Sequence, residues 1–293
     1  MSSSPTAQET SENTEAIEAW NGPLFERFVE FREVICGGLS VHGDAALDVL
    51  APQPGDRVLD IGCGFGDTTL QIAELVGESG VAVGVDAAPR FIQMAQAEAA
   101  EAGVPNARYL VSDVQLNPFT EQFDNAYSRF GTMFFASPVA ALRNVRKALA
   151  PDGRLVMVVW RRREDNPWIY EAQKIVEGIV ERPKEYDEPT CGPGPFSMAN
   201  ADTVSEILMY AGFTDIDLRR CDRAIMAGPD LENAIDLTMA IGPGGEILRL
   251  QGDRAAHLRE PVRQALREGL AQYVSDDGSV SAMASTWIVS ARA

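Results

Sequence analysis

The sequence predicts an α/β fold built on a mostly parallel, doubly wound sheet. Short apolar runs alternate with helical patterns at a regular pitch between residues 57 and 160. The first of these runs ends in a cluster of glycines, and acidic residues stand at the ends of the next two. In sheets of this kind ligands bind beyond the carboxyl ends of the strands, where strand order reverses, so the chemistry belongs in those loops.

The elements follow in order. Residues 1–15 are rich in Ser, Thr, Glu and Gln without an apolar run; they read as a disordered tail and not as a secretory signal. From Ala16 to Ala51, apolar residues recur at helical spacing (Trp20, Leu24, Phe28, Phe31, Val34, Ile35), and Gly37-Gly38 divides them into two predicted helices. Arg57 to Ile61 is a strand apolar enough to be buried on both faces. A helix from Asp67 to Val76 stops at Gly77. Val81 to Val85 is the second strand, and Pro89 opens a helix that Gly103 ends. Ala107–Val111 and Phe123–Ser128 are the third and fourth strands. Ser137-Pro138 starts a helix reaching Leu149, and Pro151-Asp152-Gly153 turns the chain into a fifth strand, Arg154 to Trp160.

Beyond Trp160 the pattern loosens. A helix from Asn166-Pro167 through Val180 precedes a Pro/Gly-rich stretch from Arg182 to Pro195. A helix over 201–211, closed by Gly212, leads into a strand from Phe213 to Cys221. Residues 231–273 are mostly helical, with a break around Gly242-Pro243-Gly244-Gly245, and Val280 to Ala291 forms a last strand. The expected organisation is a helical lid over 16–51, a core over 52–163, and a segment 164–293 that adds helices above the active edge and the last two strands.

Composition narrows the partners. The net charge is -18, and Lys147, Lys174 and Lys184 are the only lysines, so the field repels phosphate backbones and argues against nucleic acid. The cysteines at 36, 63, 191 and 221 form no C-x-x-C pair, and two histidines, His42 and His257, give no zinc-type spacing, so no metal is expected. No stretch reaches the roughly 18 apolar residues of a membrane span. A reduced, cytoplasmic protein is the expectation, and a homodimer is compatible with it.

The central motif is Asp60-Ile61-Gly62-Cys63-Gly64-Phe65-Gly66, between a strand and a helix. Glycines here let the backbone turn sharply and let a ligand approach the main chain, while the helix aims free N–H groups into the loop. A nicotinamide or flavin site prefers G-x-G-x-x-G; here the spacing is G-x-G-x-G. Asp86 ends the second strand, 20 residues after Gly66, where a carboxylate accepts the hydroxyls of a ribose. Asp113 ends the third, where it accepts from an adenine amino group, with Val114 and Phe91 against the ring. Each aspartate taken singly is equally well a helix cap or a turn residue. Three strand ends in succession are harder to attribute to capping.

These motifs, with Gly84-Val85-Asp86, Ser112-Asp113 and Leu149-Ala150-Pro151-Asp152-Gly153-Arg154-Leu155, resemble those of class I S-adenosylmethionine-dependent methyltransferases. Ser128 to Phe135 and Gly194-Pro195-Phe196-Ser197 are similar to the small-molecule branch that includes the ubiquinone and menaquinone biosynthesis enzymes. The clear match covers about residues 57–160, with Pro-Asp-Gly where the family often has Pro-Gly-Gly. The resemblance implies a Rossmann-like, seven-stranded sheet with an antiparallel last strand and S-adenosyl-L-methionine as cofactor. It implies Gly62, Cys63, Gly64 and Gly66 around the methionine and ribose portions, Asp86 with Ala87 at the ribose, and Asp113 with Val114 at the adenine. Ser128 would meet the methionyl amino group through its carbonyl, near Asp60.

A methyl sulfonium is already activated, so the protein must mainly align the nucleophile and exclude water. Phe130, Met133, Phe134, Phe135, Trp160, Trp168 and Tyr170 are candidates for an apolar acceptor chamber, with Trp20 and Phe25 as its lid; such residues are also ordinary core. A hydroxyl or acidic carbon nucleophile needs a base. His42, beside the lid, is the weak candidate, against its reading as a satisfied surface histidine; His257 reads as solvent-facing. Arg161-Arg162-Arg163 either draws in an acidic substrate or is a solvated loop, and Arg129 reads as a structural bond to the loops around Asp60. The expected reaction is methylation of oxygen or carbon on a small, largely apolar metabolite. Two readings stand against it: a nicotinamide-dependent oxidoreductase, and a cofactor-binding regulator without turnover.

Overall fold

In the computed structural model, which describes residue 14, residues 16–181 and residues 193–293, the first apolar run becomes β1 (Arg57–Ile61) in the middle of a seven-stranded sheet. On one side of it lie β2 (Val81–Asp86) and the edge strand β3 (Ala107–Val111). On the other side follow β4 (Phe123–Arg129), β5 (Leu149–Trp160), β7 (Val280–Arg292) and β6 (Thr214–Gly228). The first five strands pair in parallel, and β7 runs antiparallel between β5 and β6. Strand order reverses between β1 and β4, which places the switch point at their carboxyl ends.

Ten α-helices have their ranges defined among the described residues: α1 (Pro23–Glu30), α2 (Gly38–Leu50), α3 (Asp67–Val76), α4 (Pro89–Ala102), α5 (Pro138–Ala148), α6 (Pro167–Glu177), α7 (Ala201–Ala211), α8 (Leu231–Ala240), α9 (Pro243–Arg249) and α10 (Ala255–Leu270). Alternation along the strands divides the core. Val58, Tyr127, Val156 and Val158 face Ala46, Leu47 and Leu50 of α2 and Ile72 and Val76 of α3. Leu59, Ile61, Ala126, Leu155 and Met157 face the other way, onto Leu142 and Val145 of α5 and Val204 and Leu208 of α7. Helices therefore cover both faces, as the alternating pattern requires.

β6 and β7 are 15 and 13 residues long and outrun the sheet past Trp160, which pairs with Thr286. Their overhang carries a cap with its own core, in which Trp168, Val176, Ile235, Ile247, Val262 and Leu266 pack against Ala227, Val280 and Ala282.

Several boundaries differ from the sequence reading. The expected tail lies, but for Thr14, outside the described residues, as do 182–192. Gly37-Gly38 does not break the helix: a π-helical turn (Glu33–Gly37) runs straight into α2, with φ of -70° and -62° at the two glycines. Gly38 is there for proximity, since a Cβ on it would lie 2.5 Å from the Met226 carbonyl oxygen. The fifth strand begins at Leu149, and Pro151-Asp152-Gly153 is an irregularity inside it, with Asp152 at φ 63°. The sixth continues to Gly228 because β7 supplies its partner residues up to Val280. α6 stops at Glu177, three residues short of Val180.

Candidate cofactor and acceptor site

The loop after β1 takes the shape its glycines permit: Gly62, Gly64 and Gly66 have φ of 66°, 53° and 82°, in the left-handed region. The N–H groups of Gly62 and Cys63 both donate to the Val85 carbonyl, at 2.8 and 3.1 Å, which fastens the loop to the end of β2. A Cβ on Gly62 would stand 2.9 Å from Gly131 Cα, so the chain leaving β4 touches the same loop.

The acidic residues converge on it. Asp86 accepts hydrogen bonds from the N–H groups of Gly64 (3.1 Å) and Ala88 (2.9 Å), beside a half-buried Ala87. Asp86 pairs with Val111, and Ser112 N–H donates to the Asp86 carbonyl at 2.9 Å. Asp113 thus stands at the neighbouring strand end, where its carboxylate accepts from Gln115 N–H at 2.9 Å in a turn. Asp60 is buried at the end of β1 and accepts from the Thr69 hydroxyl at 2.6 Å. Burial pushes its carboxyl up to about 6, against the pull of Thr69 and Arg129, and the charges of Asp86 and Asp67 push the same way. Burial raises Asp86 as well, and it raises the Cys63 thiol with help from Asp86 and Asp60. The crevice therefore favours a cationic ligand. Ser128 is buried in β4 and donates to the Ile61 carbonyl at 2.8 Å, which holds β4 to the loop.

Two residues expected at the adenine are buried among apolar neighbours. Val114 is buried among Leu142, Val145 and their neighbours. Phe91 is 3% exposed at the hub of an aromatic cluster, 4.9 Å from both Phe25 and Phe65 and 6.4 Å from Trp20. That cluster seats the N-terminal segment over the loop. Sequence reasoning missed what fastens it. Asn21 accepts from Arg90 N–H at 3.0 Å at the start of α4, Arg90 pairs with Glu26 at 2.8 Å, and Arg32 bonds both Asp67 and Glu98. Asn21-Gly22 before a helical run is a cap signal, but the backbone N–H it caps is 69 residues away, at Arg90, which no local pattern reveals.

On the acceptor side, Phe130 leaves β4 at φ 59° and stacks on Trp160, centroids 4.7 Å apart at 29°. Phe134 meets Trp20 edge-on at 4.9 Å, and Phe135 is half-buried against the core. Met133 is buried, its sulfur accepting from Trp160 N–H at 3.3 Å, so it supports the wall from behind. Trp168 is a correction: it packs on Tyr273 at 5.3 Å inside the cap. Tyr170, two residues on, lies 5.9 Å from the Lys174 ammonium on α6.

His42 departs from its reading as a surface histidine: it lies on the inner face of α2 and is fully buried, 6.4 Å from the Phe130 ring and 6.5 Å from that of Trp160. Its Nδ1 lies 3.0 Å from Thr286 Oγ1, and its Nε2 is buried with no partner. Thr286 has one hydroxyl proton, and it reaches the Cys221 carbonyl at 3.3 Å. That leaves His42 Nδ1 as the donor to Thr286 and Nε2 as a bare acceptor. Burial, aided by Arg223 and opposed by Asp222, lowers its pKa to about 4. His257 is exposed, as expected. Arg161 is taken up by Asp165 at 3.1 Å and Asp222 at 3.8 Å and lies over Trp287, so it is structural. Arg129 reverses its sequence reading: no hydrogen bond or ion pair ties it to the loops among the described residues.

Residues 52–212, which include every strand end of this crevice, match a family described as a methyltransferase domain. Aklanonic acid methyltransferase DauC of a Streptomyces species is 36% identical over 114 residues, 39% of this chain and 52% of that protein. The ubiquinone/menaquinone biosynthesis C-methyltransferase UbiE of Azotobacter vinelandii is 33% identical over 129 residues, 43% of this chain and 51% of its own. The chain thus spans about half the length of these curated relatives. The crystal structure of YcgJ from Bacillus subtilis shares the fold, with a TM-score of 0.55 at 17% identity over 87% of this chain and 97% of that one. The oxidoreductase that a glycine loop alone permits gives way to this match, which takes in more than half of the sequence: the chain belongs to the methyltransferase domain family.

Proposed function

We propose that the chain moves a methyl group from S-adenosyl-L-methionine to an oxygen or carbon of a small, largely apolar metabolite. One observation carries the reading: Asp60, Asp86 and Asp113 stand at three adjacent strand ends around a glycine loop whose main chain a Cβ would obstruct. The crevice suits a sulfonium nucleoside, because its carboxylates favour positive charge and Asp86 keeps acceptor capacity beyond its two backbone bonds. When bound, the cofactor supplies an activated methyl group on sulfur.

The chain's own residues do the rest. Gly62, Gly64 and Gly66 give the nucleoside a close, Cβ-free floor with Cys63 beside it, Asp86 and Ala87 take its ribose, and Asp113 takes the adenine. Asp60 and the Ser128 carbonyl take the amino group. Phe130, Trp160, Phe134 and Trp20 exclude water from the acceptor, since an in-line displacement gains from a dry, fixed approach. His42 is neutral near pH 7 and offers Nε2 to a hydroxyl of the acceptor, fixing its direction of approach.

DauC and UbiE, by their names, methylate aklanonic acid and a quinone-pathway carbon, which supports a small acceptor here. The acidity of the chain supports the same choice over nucleic acid. Among the described residues no helix is long and apolar enough to cross a membrane. A reducing, cytoplasmic setting fits the free thiols of Cys36, Cys63 and Cys221. A homodimer fits the apolar, exposed Leu110 and Val111 on the β3 edge. We also assign 16–51 as lid, 52–163 as cofactor core and 164–293 as cap with the last two strands.

Calorimetry with S-adenosylmethionine, S-adenosylhomocysteine and NADH tests the cofactor. The expected result is binding of the first two, weakened about tenfold or more in Asp86→Ala by loss of hydrogen bonds to a charged group. Labelled methyl transfer to a panel of small hydroxylated aromatics, tRNA and protein tests the acceptor. Label on tRNA or protein alone overturns the small-molecule reading.

A further inference from the structure

Arg129 is the half-buried cation of the crevice that the fold leaves uncommitted. It ends β4 on the face that α2 covers, two residues beyond Tyr127, whose hydroxyl donates to the Gly43 carbonyl at 3.0 Å. The helix passes so close that a Cβ on Gly43 would stand 2.8 Å from Arg129 Cδ and 3.6 Å from its Nη1. A glycine in α2 is what makes room for the guanidinium. Its neighbours along the rim are engaged elsewhere: Arg32 with Asp67 and Glu98, Arg90 with Glu26, Arg161 with Asp165 and Asp222. Arg129 has no such partner among the described residues, and its charge acts on Asp60 and Cys36.

A partly desolvated guanidinium without an acceptor carries a cost that a bidentate carboxylate offsets. The crevice is otherwise acidic, and of the charged groups on S-adenosylmethionine only the carboxylate is negative. We infer that Arg129 is the carboxylate-binding residue for the methionyl end of the cofactor, gripping it across from Asp60, which takes the ammonium. The inference rests on the cofactor reading above and adds the residue that distinguishes an amino-acid nucleoside from a bare one. It gives Gly43 a function too: the glycine keeps the stem of Arg129 clamped between α2 and the sheet.

Decarboxylated S-adenosylmethionine, which keeps both positive charges and lacks the carboxylate, provides the test. In an acidic crevice without a local cation, this probe would bind more tightly than the cofactor itself. The expected result by calorimetry is the reverse, with wild-type protein preferring S-adenosylmethionine about tenfold or more. Arg129→Met is expected to abolish that preference while binding of the decarboxylated probe stays within about threefold, and Arg129→Lys to restore part of it. Equal wild-type affinity for the two ligands, or tighter binding of the decarboxylated one, overturns the inference without any variant. So does an Arg129→Met protein, folded by circular dichroism, that weakens both ligands alike or neither. Wild-type protein that binds neither ligand overturns the cofactor reading itself, a separate outcome.

Discussion

At the scale of single residues, the decisive group is Asp60. Its carboxyl, pushed up to about 6 by burial, is ionised near pH 7 and protonated in mild acid. A cofactor carrying an ammonium and a sulfonium prefers the ionised form, so binding is linked to proton release. Affinity for S-adenosylmethionine should hold from pH 8 to about 6 and fall below it; in Asp60→Asn this part of the profile should vanish along with some affinity. The same group has a stability signature. A carboxyl at about 6 in the fold, against an ordinary 3.8 in the unfolded chain, binds a proton on folding between those pH values, so its contribution declines as pH rises through them. His42 has the opposite slope, because its lowered pKa makes folding release a proton between about 4 and 6.5. The melting temperature of Asp60→Asn minus that of wild type should therefore grow from pH 4 to pH 6. A difference that is flat or shrinks over that range contradicts the burial argument.

At the scale of elements, α2 is the part whose sequence misleads. Gly37-Gly38 reads as a helix break, yet the two glycines keep helical dihedrals, and the second admits the Met226 carbonyl. Gly38→Ala forces that backbone contact apart and should cost about 1–3 kcal/mol in thermal or urea unfolding, as overpacking does. Gly43→Ala meets the flexible stem of Arg129 instead, and should change stability less than it changes cofactor affinity. β1 to β4 were legible because each is a local apolar run closed by its own turn residues. The outer half of β6 was not, since Asp222 to Gly228 is a strand only because β7 lies beside it. Pro151-Asp152-Gly153 was read correctly as a turn in its chemistry but not as an irregularity in a continuous strand, a distinction set by pairing with β4.

At the scale of the molecule, the N-terminal segment joins the two halves of the rim. It holds the cofactor half through Asn21, Glu26 and Arg32, and the cap half through Arg27, whose guanidinium donates to the Ala240 carbonyl at 2.9 Å. Phe25 of this segment lies 6.2 Å from Phe65 of the glycine loop, so ligand release from the loop tests whether the segment acts as a strap. Arg32→Ala removes the bonds to Asp67 and Glu98 and should speed release of S-adenosylhomocysteine a few-fold in stopped-flow fluorescence, on the order of the 1 kcal/mol that part-exposed ion pairs contribute. An unchanged rate would mean that the strap does not gate the site. The positions of Asp60, Asp86 and Asp113 were legible because strand ends and the switch point follow from the alternation of elements. The burial of His42, the lack of a hydrogen-bond or ion-pair partner for Arg129 among the described residues, and the removal of Trp168 into the cap were not, because each depends on which distant element packs against it.

A crystal structure with S-adenosylhomocysteine tests the central claim most directly. The account expects the ribose hydroxyls on the Asp86 carboxylate, the adenine beside Asp113, and the amino-acid end over Gly62 between Asp60 and Arg129. A nucleoside bound elsewhere, or one whose ribose lies out of reach of Asp86, would contradict it.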